Sequence, residues 1–220
     1  MCKLKNAVKD FRFLKRRSYP DKAALKLVGD RYCLTRVQRN CLFRGVVPRA
    51  VAQRRMAKLV RAEMVEGEAL GIDWYNSLIT VESYLKGLPV FLSDDGLMRD
   101  ATGVHGSYRM GGVTDRAIGL FLREMPLLRA DKIDIFLDAP VAYSGKMAAD
   151  LRQRQSIAEV TVVPSPDYML KSYAGIVASS DSVIVDRAER VFDLARYLLS
   201  RGYGFSPPDL LSLRLEMTDH

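Results

Sequence analysis

Three short runs of almost purely apolar residues, at 133–137, 160–163 and 175–178, constrain the fold more strongly than any other feature. Strands that are covered by helices on both faces have this composition. We predict strands at 70–74, 89–93, 132–138, 159–164 and 174–180, and helices at 76–86, 113–125, 144–154 and 187–201. Strands that alternate with helices predict an α/β fold, in which a mostly parallel sheet has helices on both faces.

The charge of the chain is distributed unevenly. Residues 1–66 contain 18 Lys and Arg against 5 Asp and Glu, a net charge of +13, whereas residues 67–220 have a net charge of −5. We therefore predict a basic, all-helical module over 1–66, an α/β domain over 67–205 and a C-terminal tail over 206–220. Concentrated positive charge favours a nucleic-acid partner. The alternative is a helical surface that only solvates many cationic side chains.

The candidates for contact with nucleic acid lie on the short helices of the basic module. Pro20, Gly29 and Pro48 separate these helices. Lys and Arg side chains would bind phosphates, largely without regard to base sequence. The predicted contact residues are Arg12, Lys15, Arg16, Arg17, Arg31, Arg39, Arg44, Arg54 and Arg55.

The chain lacks the signatures of several other classes of protein. No apolar run approaches the roughly 18 residues that span a bilayer, and no apolar segment follows the basic N-terminus, so neither a membrane protein nor a secreted one is expected. An odd number of cysteines is a poor disulfide framework, so we predict a reducing cytoplasm. With 2 histidines, a His-based zinc site is excluded, and neither a P-loop nor a GxGxxG or GxSxG motif occurs.

Aspartates stand at the ends of four of the predicted strands. Asp73 is near the end of the first strand, Asp94 and Asp95 follow the second, Asp138 ends the third and Asp181 follows the last. Of these, Asp73, Asp138 and Asp181 are the three aspartates of the predicted metal site. In a parallel sheet these ends lie along one edge, where ligands bind. Crowded carboxylates repel one another unless a cation or a shared proton neutralises them, and oxygen ligands suit Mg²⁺ or Mn²⁺. We predict that the three aspartates bind such a metal and that they are catalytic, although each could instead cap the following helix.

Further polar residues near this edge are candidates for substrate binding. Helix starts offer free N–H groups to phosphate, and a glycine-rich loop at 103–112 could fold over a ligand. The candidates are Asn76, Asp94, Asp95, His105, Arg109, Ser144, Lys146 and Ser180. The Asp94-Asp95-Gly96 segment is equally compatible with a turn, and Glu82 is interpreted as a solvated residue of the helix after the first strand.

Two stretches of the chain resemble known families. The segments at 10–14, 24–32 and 44–46 resemble the largely archaeal family called domain of unknown function 434. The segments at 73–76, 94–96, 137–140 and 180–182 resemble the companion domain that follows it. Together the two resemblances cover nearly the whole chain, and they imply no settled function.

A looser resemblance concerns the strand ends. The Asp73-x-x-Asn76 and Ser180-Asp181-Ser182 segments are similar to those of PIN and NYN ribonuclease folds. The resemblance implies that Asp73, Asp138 and Asp181 hold Mg²⁺ or Mn²⁺. The chain departs from the pattern at Val183, where NYN domains often have a second aspartate.

Three functions are therefore compatible with the sequence. The first is a metal-dependent ribonuclease-like phosphodiesterase that acts on RNA. The second is a non-catalytic nucleic-acid-binding protein on a degenerate fold of this kind, and the third is a hydrolase or phosphotransfer enzyme that acts on a small phosphorylated substrate. Fold alone does not decide among them.

Overall fold

The computed structural model describes residues 2–103 and 108–212, which form two compact units. The helical unit comprises Met1–Ala57, Gly87–Gly103 and Pro207–His220. The sheet unit comprises Lys58–Lys86 and Val104–Ser206. The helical unit thus combines the N-terminal helices with segments from later in the chain.

Four helices form the first part of the helical unit: α1 (Cys2–Arg16), α2 (Asp21–Arg31), α3 (Arg36–Gly45) and α4 (Arg49–Met56). Helices α2 and α4 begin directly after prolines, as the sequence predicts. Helix α3 begins with a capping box, in which the Thr35 hydroxyl accepts from the Gln38 N–H and the Gln38 side chain accepts from the Thr35 N–H. The apolar faces of the helices pack into one core around Val8, Phe11 and Leu42.

A two-stranded antiparallel hairpin completes the helical unit, formed by β2 (Val90–Leu92) and β3 (Met98–Asp100). The predicted strand at 89–93 exists, but the expectation that it joins the parallel sheet is wrong. Its partner is β3, which the sequence did not indicate, because Met98-Arg99-Asp100 has no apolar periodicity. The turn between the strands places Gly96 at φ +80°, a left-handed backbone that favours glycine.

The sheet unit contains five parallel strands: β1 (Ala69–Asp73), β4 (Lys132–Asp138), β5 (Glu159–Val163), β6 (Ile176–Ala178) and β7 (Arg190–Val191). Their order across the sheet is β5-β4-β1-β6-β7. The predicted α/β class with a parallel sheet is confirmed, and β4 has the predicted bounds.

Helices flank this sheet: α5 (Trp74–Leu85), α6 (Thr114–Glu124), α7 (Ser144–Arg154), α8 (Pro166–Leu170), α9 (Ser182–Arg187) and α10 (Leu194–Tyr203). The predicted helix at 187–201 is wrong in its first part, because Arg190 and Val191 pair with β6 as strand β7. Within the described ranges, 2–103 and 108–212, no helix has the length and apolar composition that crossing a membrane requires.

The strand order determines where a ligand would bind. Successive connections move from β1 outward through β4 and β5, and the chain then returns to the other side of β1 to form β6. The order reverses between β1 and β6, and in open parallel sheets ligands bind at such a switch point, outside the carboxyl ends of the strands. Asp73 ends β1, and Ser179 follows β6 directly.

Candidate functional site

Asp73 and Asp138 belong to the same face of the sheet at its carboxyl edge. Asp73 is in register with Phe136 of the neighbouring strand β4. Because successive side chains of a strand point to opposite faces, Asp138 points to the same face as Phe136 and therefore as Asp73. The structure thus brings two of the three predicted carboxylates to one edge and one face.

The carboxyl group of Asp73 is 3% exposed and lies in an environment that disfavours its charge. Burial, with a smaller contribution from the negative charges of Asp138 and Asp181, raises the pKa of Asp73 to about 7, against the opposing hydrogen bond from Ser179. Near neutral pH this carboxyl group is therefore partly protonated and partly ionised, and a nearby cation would favour the ionised form.

Four polar side chains connect the end of β1 with the end of β6. The Ser179 hydroxyl donates to Asp73 Oδ2 at 2.8 Å and accepts from the Asp181 N–H at 3.0 Å. The Asn76 side-chain oxygen accepts from the Ser180 N–H at 2.8 Å and from the Ser180 hydroxyl at 3.0 Å. These bonds fix the geometry of the switch point, and the predicted residues Asn76 and Ser180 bind each other there.

Asp181 has the capping role that the sequence left open. Its Oδ1 accepts from the N–H groups of Val183 at 2.8 Å and Ile184 at 3.3 Å, at the start of α9. Its charge nevertheless acts on Asp73, as the pKa of that group shows. Asp181 is therefore both a helix cap and part of the electrostatic environment of the edge.

Asp138 also influences the first turn of α5. Burial raises the pKa of Tyr75 to about 12, and the charge of Asp138 contributes to the rise. The Tyr75 ring packs against the Tyr108 ring, with their centroids 5.2 Å apart. The phenol of Tyr75 is therefore protonated at neutral pH.

A cation at this edge would have few protein ligands. Across the described residues, no three His, Cys, Asp or Glu side chains are grouped as a ready-made metal cage. Mg²⁺ usually binds one or two carboxylates and retains several waters, and substrate phosphates complete its coordination. Burial is the main cause of the raised pKa of Asp73, and a cation would offset both the burial of its charge and the repulsion from Asp138 and Asp181.

The remaining candidates near α7 take different positions. Ser144 is buried and its hydroxyl donates to the Ala139 carbonyl at 3.2 Å, so it stabilises the turn after β4. Lys146 is exposed and lines a cavity of about 300 Å³ between α6 and α7, together with Thr114 and Asp150. Arg109 is exposed, and His105 lies outside the described residues.

Asp94 and Asp95 do not lie at the edge of the parallel sheet, contrary to the expectation. Both follow β2 in the helical unit. Asp94 accepts from Arg12 and from the Val47 N–H, and the fully buried Asp95 accepts from Arg55 at 2.8 Å. The apolar run before them does not indicate which sheet its strand joins. The prediction that Asp94 and Asp95 lie near the edge of the parallel sheet is therefore wrong.

Six of the nine predicted nucleic-acid contact residues pair with acids. Arg12 pairs with Asp94, Lys15 with Asp21, Arg31 with Asp10, Arg39 with Asp30, Arg44 with Asp100 and Arg55 with Asp95. Arg16 and Arg17 lie over the ring of Phe13 and are exposed, as is Arg54. Because the Arg55 side chain is 7% exposed, it is a structural residue rather than part of a phosphate-binding surface.

Sequence reasoning missed two features of the sheet unit. Ser179 holds the Asp73 carboxyl group, and its only signal was its place directly after an apolar strand. Glu82 is buried rather than solvated, and it accepts from Lys86, Tyr108 and Thr114 at 2.6–2.7 Å. Glu82 of α5 thereby holds Tyr108, which lies within the glycine-rich loop, and Thr114, the first residue of α6.

Comparison with known proteins identifies two family matches. Residues 62–197 match a domain of unknown function, DUF5616, and residues 3–58 match a protein family of unknown function, DUF434. The uncharacterized protein MJ0935 of Methanocaldococcus jannaschii is 32% identical over 197 residues, which cover 87% of this chain and 94% of that protein. No solved structure matches the chain.

Proposed function

The chain belongs to the DUF5616 family, and we propose that it is a metal-dependent phosphodiesterase that cleaves RNA at the carboxyl edge of its sheet. One observation is the basis of the proposal. The buried Asp73 carboxyl group, at the switch point of the sheet, has a pKa raised to about 7 by burial and by the charges of Asp138 and Asp181. Such repulsion is expected where a cation completes the site.

In this proposal Asp73 and Asp138 bind Mg²⁺ or Mn²⁺, and Asp181 adds negative charge behind them. The metal supplies Lewis-acid activation of a phosphate and of a water molecule. Ser179 orients the Asp73 carboxylate through the bond to Oδ2, and the Asn76–Ser180 pair keeps the ends of β1 and β6 in place.

Two further features support nucleic acid as the substrate. The chain has a net charge of +8, and exposed Arg16, Arg17 and Arg54 in the helical unit offer cations for phosphates.

The finer assignment to a PIN or NYN type of nuclease fold rests on acidic residues at the ends of β1, β4 and β6, which meet at one edge.

Cleavage of labelled RNA tests this proposal. The purified protein is incubated with single-stranded and structured RNA in Mg²⁺, Mn²⁺ or EDTA, beside the Asp73→Asn and Asp138→Asn variants. Asp131→Asn is the matched control, because Asp131 is an exposed aspartate that precedes β4 at the opposite edge. We expect metal-dependent cleavage in the wild type and the control, and loss in both other variants. Salt-sensitive binding without cleavage under any metal would instead indicate a non-catalytic binding protein.

A second candidate function is supported by the cavity between α6 and α7. Its volume of about 300 Å³ suits a small molecule, and Lys146 and Thr114 provide polar groups at its wall. A hydrolase or phosphotransfer enzyme of a small phosphorylated substrate would use this cavity. This function would be favoured over the first if the wild type hydrolyses a generic aryl phosphate but not RNA, and if Lys146→Ala loses that hydrolysis.

A further inference from the structure

Tyr143, on the loop after β4, combines two properties. Its side chain is 72% exposed, although an aromatic ring gains free energy from burial. Its backbone is left-handed, with φ 64° and ψ 20°, a conformation that is uncommon for residues other than glycine, asparagine and aspartate. Strained residues of this kind persist only where the surrounding structure fixes them, and they cluster at functional sites.

The loop between Asp138 and α7 fixes this conformation. The Val141 N–H donates to the Asp138 carbonyl at 3.2 Å, and the Ser144 N–H donates to the Val141 carbonyl at 3.1 Å. The Met147 N–H donates to the Tyr143 carbonyl at 3.0 Å, as the first bond of α7. Val141 and Ser144 are buried on either side of Tyr143, so the loop is anchored while the tyrosine ring stays in solvent.

The position of the ring relates it to the candidate site. Tyr143 is five residues after Asp138, on the loop that leaves the carboxyl end of β4. Lys146, three residues further on, is exposed and offers a cation on the same helix start. Proteins bind single-stranded nucleic acid by combining exposed aromatic rings, on which bases stack, with cationic side chains that contact phosphates.

We propose that Tyr143 is a stacking platform for an unpaired base, so that the substrate of the edge is single-stranded RNA rather than a duplex. This inference rests on the proposed function. In a duplex the faces of the bases are covered by their neighbours, so a ring on a loop can stack only on a base that is splayed out. Lys146 then contacts a phosphate next to the stacked base.

Binding in the absence of cleavage tests the inference separately from catalysis. Dissociation constants for a labelled single-stranded RNA and for a duplex of the same sequence are measured in the full-length Asp73→Asn background. Added to this background, Tyr143→Ala is expected to weaken single-strand binding about tenfold, which corresponds to about 1.4 kcal/mol, and to leave duplex binding unchanged. Tyr143→Phe retains the ring and is expected to bind as the background does.

Two controls exclude loss of folding and general loss of exposed apolar surface. Tyr143→Gly removes the ring while suiting the left-handed backbone, so it is expected to keep the melting temperature and to lose binding as the alanine variant does. Leu127→Ala removes a side chain that is 53% exposed in the turn before β4, at the opposite edge, and is expected to bind normally.

The outcomes separate the two proposals. Unchanged single-strand binding in Tyr143→Ala, or an equal loss for single strand and duplex, would overturn the stacking role even if the wild type cleaves RNA. A ring-dependent preference for single strands, together with no cleavage by the wild type in Mg²⁺ or Mn²⁺, would overturn the phosphodiesterase and leave single-strand recognition established.

Discussion

The helical unit and the sheet unit both bury aspartates, but the pKa values of these aspartates are shifted in opposite directions. In the helical unit, Asp95 accepts from Arg55 and from Arg99, which hold its pKa far below the usual range although burial alone would raise it. In the sheet unit, Asp73 has a serine hydroxyl as partner, and its pKa is raised. The comparison shows that a buried acid compensated by arginine is part of the scaffold, whereas one that faces other acids is suited to binding a cation.

The largest effect is expected from Asp95→Asn. Removing this charge leaves Arg55 and Arg99 buried without their counter-ion, so the free energy of unfolding should fall by about 3–5 kcal/mol. Urea unfolding at neutral pH measures this. Asp21→Asn breaks an exposed pair with Lys15 and should cost less than about 1 kcal/mol. Similar losses in both variants would contradict the scaffold role of Asp95.

The next effect concerns the pH dependence of stability. Because the pKa of Asp73 is about 7 when folded and near 3.8 when unfolded, the folded state binds more protons between these values, and stability falls as pH rises through them. The fall should reach up to about 4 kcal/mol by pH 7.5. Urea unfolding in EDTA from pH 4 to 8 measures it, and Asp73→Asn should flatten this part of the profile. A slope that Asp73→Asn leaves unchanged would assign it to another group.

Metal binding should oppose that fall. A divalent cation that binds only the folded state at ten times its dissociation constant stabilises it by about 1.4 kcal/mol. Thermal unfolding at pH 8, with and without Mn²⁺ or Mg²⁺, should show a rise in melting temperature for the wild type and for Asp131→Asn. The rise should vanish in Asp73→Asn, and a rise that survives there would place the metal elsewhere.

The smallest effect is expected from Ser179→Ala. Loss of the hydroxyl removes the hydrogen bond that favours the ionised form of Asp73, so the pKa of Asp73 should rise further and stability at pH 8 should fall by about 1 kcal/mol. Ser179→Thr keeps the hydroxyl and should recover part of the loss. Equal stability of Ser179→Ala and wild type at pH 8 would show that this bond has no effect on the charge.

The comparison also explains how much could be predicted from the sequence. The apolar runs at 133–137 and 160–163 indicated strands of a buried parallel sheet, because strands covered on both faces are composed almost entirely of apolar residues. Strand β7 has two residues, Arg190 and Val191, too few for any periodicity. The edge aspartates Asp73 and Asp138 were predictable, because parallel strands align their carboxyl ends.

The pairings of the helical unit were not predictable in the same way. Arg12 and Asp94 are 82 positions apart, and Arg55 and Asp95 are 40 apart. The sequence predicted that these arginines would bind phosphate, because their acidic partners are distant along the chain. Partners that only the tertiary structure brings together leave no local pattern in the sequence. The same limit concealed Ser179, whose role depends on the register between β1 and β6.

The helical unit is built from distant parts of the chain, and this limits where the chain could be divided by truncation or by gene fusion. The match to DUF434 ends at residue 58, yet the acids that pair with Arg12, Arg44 and Arg55 lie in residues 94–100, inside the stretch that matches DUF5616. Residues 3–58 are therefore not expected to form an independent module that could be moved to another protein. A gene fusion or truncation at that boundary would separate these arginines from their acids, so the two matched segments are expected to be retained or lost together during evolution.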